Sequence, residues 1–227
     1  MTSPAGFGHE AVRIPASEEV HGFLTAPLGL SEVFRQDEPV LQGRPLLPGV
    51  EVPCFGRTDR WPFEAQRRPA NVTPSGWLAV FDSFPKQWNL RAREISMAVL
   101  NPQHPALIEA GVCLDREPYQ PGTVTGLLSE LRTLIDWARE AGLSLHPAHW
   151  TSSDMHRYIA EKAEIRSAAM VRNYVGAVRL LHEISPALTG GGLAADPGRD
   201  AQPAPSPRTP EPTKSPPRTS HPRSGSR

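Results

Sequence analysis

The stretch TVTGLLSELRTLIDWAREAGL, residues 123–143, decides the fold class of this chain. Its apolar side chains recur every three or four positions, and this spacing places them along one side of an α-helix. Thr123 is a residue type that caps helix starts, and Gly142 suits the left-handed position after a helix end. We therefore predict an amphipathic helix with a buried stripe of Val124, Leu127, Leu128, Leu131, Leu134, Ile135 and Ala138.

Further helical segments flank this stretch on both sides. Thr151 and Asp154 have nearly the spacing and composition of a capping box, and Ser167 is suited to cap the last segment. We find no convincing strand pattern. The sequence predicts an all-α fold, a small bundle of four to five helices with disordered or irregular N- and C-terminal flanks. The additional segments are 85–102, the short turn 104–112, 150–164 and 167–184.

Proline is concentrated in the two flanks of the chain. Most of residues 1–75 should be loop or disorder, since dense proline removes backbone donors and breaks helices. Residues 198–227 contain 8 prolines and no Leu, Ile, Val, Met or aromatic residue, so we predict disorder there. The predicted division is an irregular region 1–81, a helical domain 82–188, and a glycine hinge with a disordered tail, 189–227.

Charge excludes some classes of function. The chain has 24 basic and 24 acidic residues, and only residues 198–227, with a net charge of +4, are basic. This argues against a strong nonspecific nucleic-acid binder but leaves room for a local arginine surface. Cys54 and Cys113 have no metal-ligand spacing. With no signal peptide or membrane-spanning stretch in the sequence, we predict a soluble cytoplasmic protein with no cofactor, metal, membrane partner or small-molecule substrate.

The helical part resembles a known family. It is similar to the N-terminal, core-binding region of tyrosine recombinases, and most of all to integrase-like proteins of high-GC Gram-positive bacteria. The resemblance covers roughly residues 84–197, about half the chain. It rests on the order of four runs: WNLRAREISMAVLNPQHPALIEAGV, GTVTGLLSELRTLIDWAREAGL, PAHWTSSDMHRYIAEK and MVRNYVGAVRLLHEISPALTGGGLAADP.

This resemblance implies a SAM-like bundle that clamps one face of a double-stranded DNA site in DNA integration or recombination. A linker would then lead to a separate catalytic domain, and Gly190, Gly191 and Gly192 would be its hinge. The family's catalytic domain supplies a nucleophilic tyrosine and cationic groups. Here no tyrosine follows Pro197, and none of the chain's tyrosines is a credible nucleophile: Tyr119 is in a loop, and Tyr158 and Tyr174 are on apolar stripes. The expectation is a truncated protein without strand-exchange activity.

Six polar residues are the candidate DNA contacts. Arg132 and Arg139 are seven positions apart on one helix, and Arg172 and Arg179 repeat that spacing on the last helix. The guanidinium group presents a planar fork that suits phosphate oxygens. An alternative remains open, in which these arginines form a solvated surface with the pairs Arg132–Asp136 and Arg179–Glu183. The candidate contacts are Arg132, Arg139, Arg166, Arg172, Asn173 and Arg179.

Other interpretations remain open beside DNA binding. Trp137 and Trp150 could stack on bases, although packing in the core is the simpler role. His146 and His149 are close in sequence but lack a third metal ligand. The bundle could instead be a protein-interaction module with no nucleic-acid role. It could also complete an active site together with other recombinase chains.

Overall fold

The computed structural model describes residues 30–196. Five α-helices, three short 3-10 turns and one small sheet make up the regular structure of this range, so the prediction of a mostly helical bundle is confirmed. The predicted disorder of residues 198–227 lies outside the described residues. The elements are β1 Arg60–Pro62, β2 Leu78–Val80, α1 Lys86–Leu100, α2 Pro105–Glu109, α3 Pro121–Glu140, α4 Ser152–Ile165 and α5 Ala168–Ile184.

Helix α3 has the buried stripe that its sequence predicts, but it begins earlier than expected. The first residue is Pro121, whose fixed φ and missing N–H suit the first helical position. Gln120 is the N-cap and makes no side-chain cap bond, so Thr123 lies inside the helix and the predicted Thr123 cap is wrong. After the helix, Gly142 adopts a φ of 69°, which confirms its predicted left-handed conformation.

The predicted caps of α4 and α5 are confirmed. The Thr151 hydroxyl accepts the Asp154 N–H at 3.2 Å, and the Asp154 carboxylate accepts the Thr151 N–H at 3.0 Å. The bond from the Thr151 N–H foremost, and a second bond that the Thr151 hydroxyl donates to the same carboxylate at 2.7 Å, hold the pKa of Asp154 below its usual range. At the start of α5, the Ser167 hydroxyl accepts the Met170 N–H. Each cap satisfies an N–H group that the helix itself leaves unpaired.

The α4 cap gives a first prediction. Replacing Thr151 with alanine is expected to lower the free energy of unfolding by about 1 kcal/mol, because the Asp154 N–H loses its acceptor. Chemical denaturation measures this change. Thr133→Ala on α3 is the matched control, since Thr133 is inside a helix, where alanine is the better helix former. Equal midpoints for the two variants would contradict a stabilising cap.

The expectation that the chain has no strand is wrong. Strands β1 and β2 form an antiparallel pair in which Trp61 faces Ala79 and Arg60 faces Val80. Each strand has only three residues, too few for an alternating pattern to stand out in the sequence. Trp61 and Ala79 are both buried, so the sheet covers the helical core with one face.

Residues 30–81 contain little regular structure besides β1 and β2, but they form part of the core. Their aromatic side chains are buried together: the rings of Trp61 and Phe81 lie 4.5 Å apart, and Phe55 packs 6.1 Å from Trp61. The expectation of loop was therefore correct for most of the backbone in this range. The expectation of disorder was not, because the side chains pack in the core. Proline prevents helices here but does not prevent side chains from packing.

Helix α1 lies at the centre of the molecule. Every residue from 91 to 100 is buried, so the helix has no solvent-facing side along this length. The bundle covers one side, and the segment 30–81 helps to cover the other. As a result Arg91, Arg93 and Glu94 are enclosed, although charged residues are rarely buried without partners.

The two helix-associated tryptophans belong to the core. Trp150 stacks on Trp88 with ring centroids 5.7 Å apart, and Trp137 packs 5.2 Å from Tyr158. Both are at most 4% exposed, so the packing role is confirmed and base stacking is not open to them. Among the helices of residues 30–196, none combines the length and apolar character that crossing a bilayer requires.

Candidate nucleic-acid interface

The outer side of α5 carries two of the candidate arginines. Arg172 and Arg179, which we call the α5 arginine pair, are both exposed. Gly176 lies between them at helical spacing, with open space where a side chain would project. Within residues 30–196, neither guanidinium forms an ion pair or a hydrogen bond. This side of the helix therefore presents two uncompensated cationic groups.

Asn173 is exposed and lines a groove of the surface. The groove has a volume of about 380 Å³ and lies between α3 and α5, with Glu130 on its other wall. Burial raises the pKa of Glu130, and a hydrogen bond with the Asn173 side chain offsets part of that effect. Asn173 is therefore engaged by the fold and is a weaker candidate for a DNA contact than its neighbour Arg172.

Arg132 is used to build the fold. Its Nη2 donates to the Val80 carbonyl oxygen at 2.6 Å and its Nε donates to the Ser83 hydroxyl at 2.9 Å. The guanidinium also lies 4.5 Å from the centre of the Phe84 ring. Burial lowers the pKa of Arg132, and the nearby Asp82 opposes that shift. This arginine joins α3 to β2, which its position in the helix could not reveal.

Arg139 and Arg166 are exposed, and only Arg139 has a carboxylate partner among the described residues. Arg139 pairs with Asp136 at 3.0 Å, three positions back on the same helix, while both side chains remain more than half exposed. An exposed pair of this kind is worth little and can yield to a phosphate. Arg166 follows the end of α4.

Neither of the predicted intrahelical ion pairs forms. Asp136 pairs with Arg139 instead of Arg132, because Arg132 reaches the backbone of β2. Glu183 pairs with Arg116 from the loop before α3, which leaves Arg179 without that partner. The interpretation of Arg179 as a charge neutralised along its own helix is therefore wrong.

The four main arginines do not share one surface. Arg132 lies on the edge of α3 that faces β2, whereas Glu130 lines the groove that α3 forms with α5. Two positions on a helix differ by about 200° in direction, so these are nearly opposite edges. On α5, Arg172 lines the same groove as Glu130, whereas Arg179 lines a second groove, between α4 and α5. The structure thus separates the predicted site into the α5 arginine pair and a structural Arg132.

The predicted hinge glycines lie against the bundle. Gly190 and Gly191 form a tight turn with φ angles of 73° and 84°, which favour glycine. A side chain on Gly192 would collide with Ser185. Leu193 is fully buried, and its carbonyl oxygen accepts a hydrogen bond from Ser185 at 2.8 Å. The prediction that the chain leaves the bundle here needs correction, because residues 189–196, the C-terminal strap, stay attached to it.

The buried carboxylate of Glu94, which was not among the predicted site residues, anchors this strap. Glu94 of α1 accepts hydrogen bonds from the Thr189 N–H at 3.0 Å, from the Thr189 hydroxyl, and from the Ser31 hydroxyl at 2.6 Å. Nearby, the Arg91 guanidinium donates to the Gly191 carbonyl oxygen. The signal in the sequence is RARE, residues 91–94, where three charges directly precede the mostly apolar run ISMAVL of the same helix.

The two neighbouring histidines do not form a metal site. The rings of His146 and His149 lie 5.2 Å apart, but the Arg91 guanidinium is 2.9 Å from Nε2 of His146. Burial, then Arg91 and His149, lowers the pKa of His146. A guanidinium at that nitrogen opposes a metal cation. Residues 30–196 contain no group of three potential metal ligands.

Comparison of the chain with protein-family models, with curated proteins and with solved structures finds no match. The class of this protein is therefore described from its own fold and surface. It is a helical bundle built around a buried charged helix, with a small two-stranded sheet on one side and an arginine-bearing outer helix on another.

Proposed function

We propose that this bundle is a double-stranded DNA-binding module of an integrase-like or recombinase-like protein, without strand-exchange activity of its own. The observation that carries the proposal is the α5 arginine pair, Arg172 and Arg179, exposed and unpaired within residues 30–196. The resemblance to core-binding regions is consistent with it.

The spacing of the α5 arginine pair suits a nucleic-acid backbone. Seven residues at a rise of about 1.5 Å place the two Cα atoms about 10.5 Å apart along the helix axis. A DNA duplex presents phosphates at short, regular intervals on both strands. Two arginine side chains this far apart can therefore contact two different phosphates. Gly176 between them has no side chain, which allows the sugar-phosphate backbone to approach α5 closely.

The tyrosines of the described residues support a role in binding rather than in cleavage. Tyr158 and Tyr174 are buried in the core, and burial raises the pKa of Tyr158, which disfavours the phenolate. Tyr119 is partly exposed, and Arg116, which its hydroxyl contacts, is also paired with Glu183. A covalent tyrosine needs an exposed hydroxyl beside several cationic groups at the scissile phosphate.

Charge reversal on α5 tests the proposal. The double variant R172E/R179E is expected to weaken duplex binding. It should also reduce the magnitude of the slope of log K against log salt concentration by about 2, because each lost phosphate contact accounts for about 0.9. Fluorescence polarisation with a labelled duplex at several salt concentrations measures both quantities. Circular dichroism should be unchanged, because both side chains are exposed.

The matched control is R57E/R67E, which changes the net charge equally on two exposed arginines of the segment 30–81. It is expected to keep most of the affinity and the salt slope. Equal losses in the two double variants would assign the effect to net charge alone. Absence of duplex binding by the unmodified chain at low salt would refute the proposal.

The alternative function, a protein-interaction bundle, has one specific observation in its favour. Two large apolar side chains, Ile165 and Met170, are exposed at the turn between α4 and α5. An exposed apolar patch on a helical surface is typical of contacts with another protein.

A further inference from the structure

The turn between α4 and α5 projects beyond the packed core. The buried residues of α4 are Met155 and Tyr158, both in its first half. The first buried residue of α5 is Tyr174. Residues 160–170, which we call the hairpin tip, contain no buried residue. The tip is therefore a pair of helix ends that other described elements leave uncovered.

The hairpin tip is unusually apolar for an exposed segment. Ile165 is 67% exposed and Met170 is 41% exposed, and most of the remaining uncharged positions are alanine. The alanines Ala160, Ala163, Ala168 and Ala169 are also exposed. Single exposed apolar residues are common, but several at one protruding turn indicate a contact surface.

The charges of the hairpin tip complement one another. It has two acidic and two basic residues, so its formal charge is zero. Glu161 accepts a hydrogen bond from Trp137, and the Lys162 ammonium lies over the Tyr158 ring. Glu164 and Arg166 make no ion pair within residues 30–196, and they flank Ile165 in the sequence. A surface with an acidic and a basic residue beside one apolar residue can form ion pairs with a second copy of itself related by a two-fold axis.

We propose that the hairpin tip is a self-association surface whose occupant is the hairpin tip of a second copy of this chain. In a two-fold contact the same surface of both copies forms the interface. The acidic side chain of each copy can then pair with the basic side chain of the other. Ile165 and Met170 pack against their equivalents, and Glu164 of each copy pairs with Arg166 of the other. Met170 and Arg172 are two positions apart on α5 and so project in directions about 200° apart, which separates this surface from the α5 arginine pair.

The size of the hairpin tip suits a weak dimer, because residues 160–170 are fewer than the roughly 20–30 residues that each partner contributes to a standard stable interface. Sedimentation velocity of the full chain without DNA, from about 1 to 100 µM, should therefore show a concentration-dependent dimer. The double variant I165E/M170E is expected to weaken dimerisation at least tenfold, because it places like charges at the two-fold contact. Ile108→Glu is the control, since Ile108 is 55% exposed on α2, away from the tip in sequence.

A charge swap tests the pairing across the two-fold axis. E164R and R166E should each weaken the dimer, because each creates like charges between copies. The double variant E164R/R166E should recover affinity close to that of the unmodified chain, because the reciprocal pairs form again with reversed sign. A merely structural role for either residue would give additive losses instead.

Three outcomes would overturn the proposal: a monomer over the whole concentration range, an I165E/M170E variant that dimerises like the unmodified chain, or a charge swap without recovery. Each result is independent of DNA binding, which is measured separately with R172E/R179E. A monomer that binds DNA would refute only the self-association, and a dimer that binds no DNA would refute only the proposed function.

Discussion

Replacing Trp61 with alanine is expected to lower the free energy of unfolding by about 3–5 kcal/mol. Trp61 is fully buried, and its ring packs against Phe81 at 4.5 Å and Phe55 at 6.1 Å. Alanine leaves a cavity between the small sheet and the helices, since the short strands cannot collapse far without losing their pairing. Urea or guanidinium denaturation measures the loss.

Two control variants separate packing from other effects at this position. Trp61→Phe should cost much less, because it retains an aromatic ring and removes an indole N–H that has no hydrogen-bond partner among residues 30–196. Leu30→Ala should change stability by less than about 0.5 kcal/mol, since Leu30 is 74% exposed. A W61A variant with the midpoint of the unmodified chain would mean that the segment 30–81 is not part of the cooperative core.

The Trp61 prediction illustrates which parts of the fold can be read from sequence. The helices α3, α4 and α5 could be predicted because their apolar residues repeat at helical spacing and polar caps mark the starts of α4 and α5. Trp61 and Phe63 could not be assigned to the core in this way. They are isolated between prolines and charged residues, and their burial depends on contacts with distant parts of the chain.

The candidate site shows the same limit. The sequence correctly places Arg132 and Arg139 near one edge of α3, but it cannot tell that β2 packs there and takes Arg132. The sequence likewise cannot show that Arg116 forms an ion pair with Glu183, so that Arg179 does not. Periodicity gives the direction of a side chain on its own helix, whereas its partner depends on tertiary packing.

Replacing Glu94 with alanine is expected to lower the free energy of unfolding by about 3–5 kcal/mol, because three hydrogen-bond donors lose their common acceptor at about 1–3 kcal/mol each. Thr189 would lose the acceptor of its N–H and hydroxyl, and Ser31 would lose the acceptor of its hydroxyl. Both ends of the described chain are thus tied to one carboxylate. Hydrogen exchange at the Thr189 amide should accelerate strongly in E94A, which distinguishes release of the strap from general destabilisation.

Glutamine at position 94 makes the same prediction testable by pH. Burial raises the pKa of Glu94 above its ordinary value of 4.5, although hydrogen bonds from Ser31 and Thr189 and the nearby Arg91 partly oppose this. A raised pKa in the folded state gives stability that is fully present below the unfolded pKa and is lost as pH rises through the folded pKa. The unmodified chain should therefore lose stability relative to E94Q as pH rises from about 4.5, because only Glu94 must bear a buried charge. A constant difference between the two proteins over this range would show that Glu94 has the same pKa in the folded and unfolded states, and an E94A variant with a protected Thr189 amide would show that other contacts hold the strap.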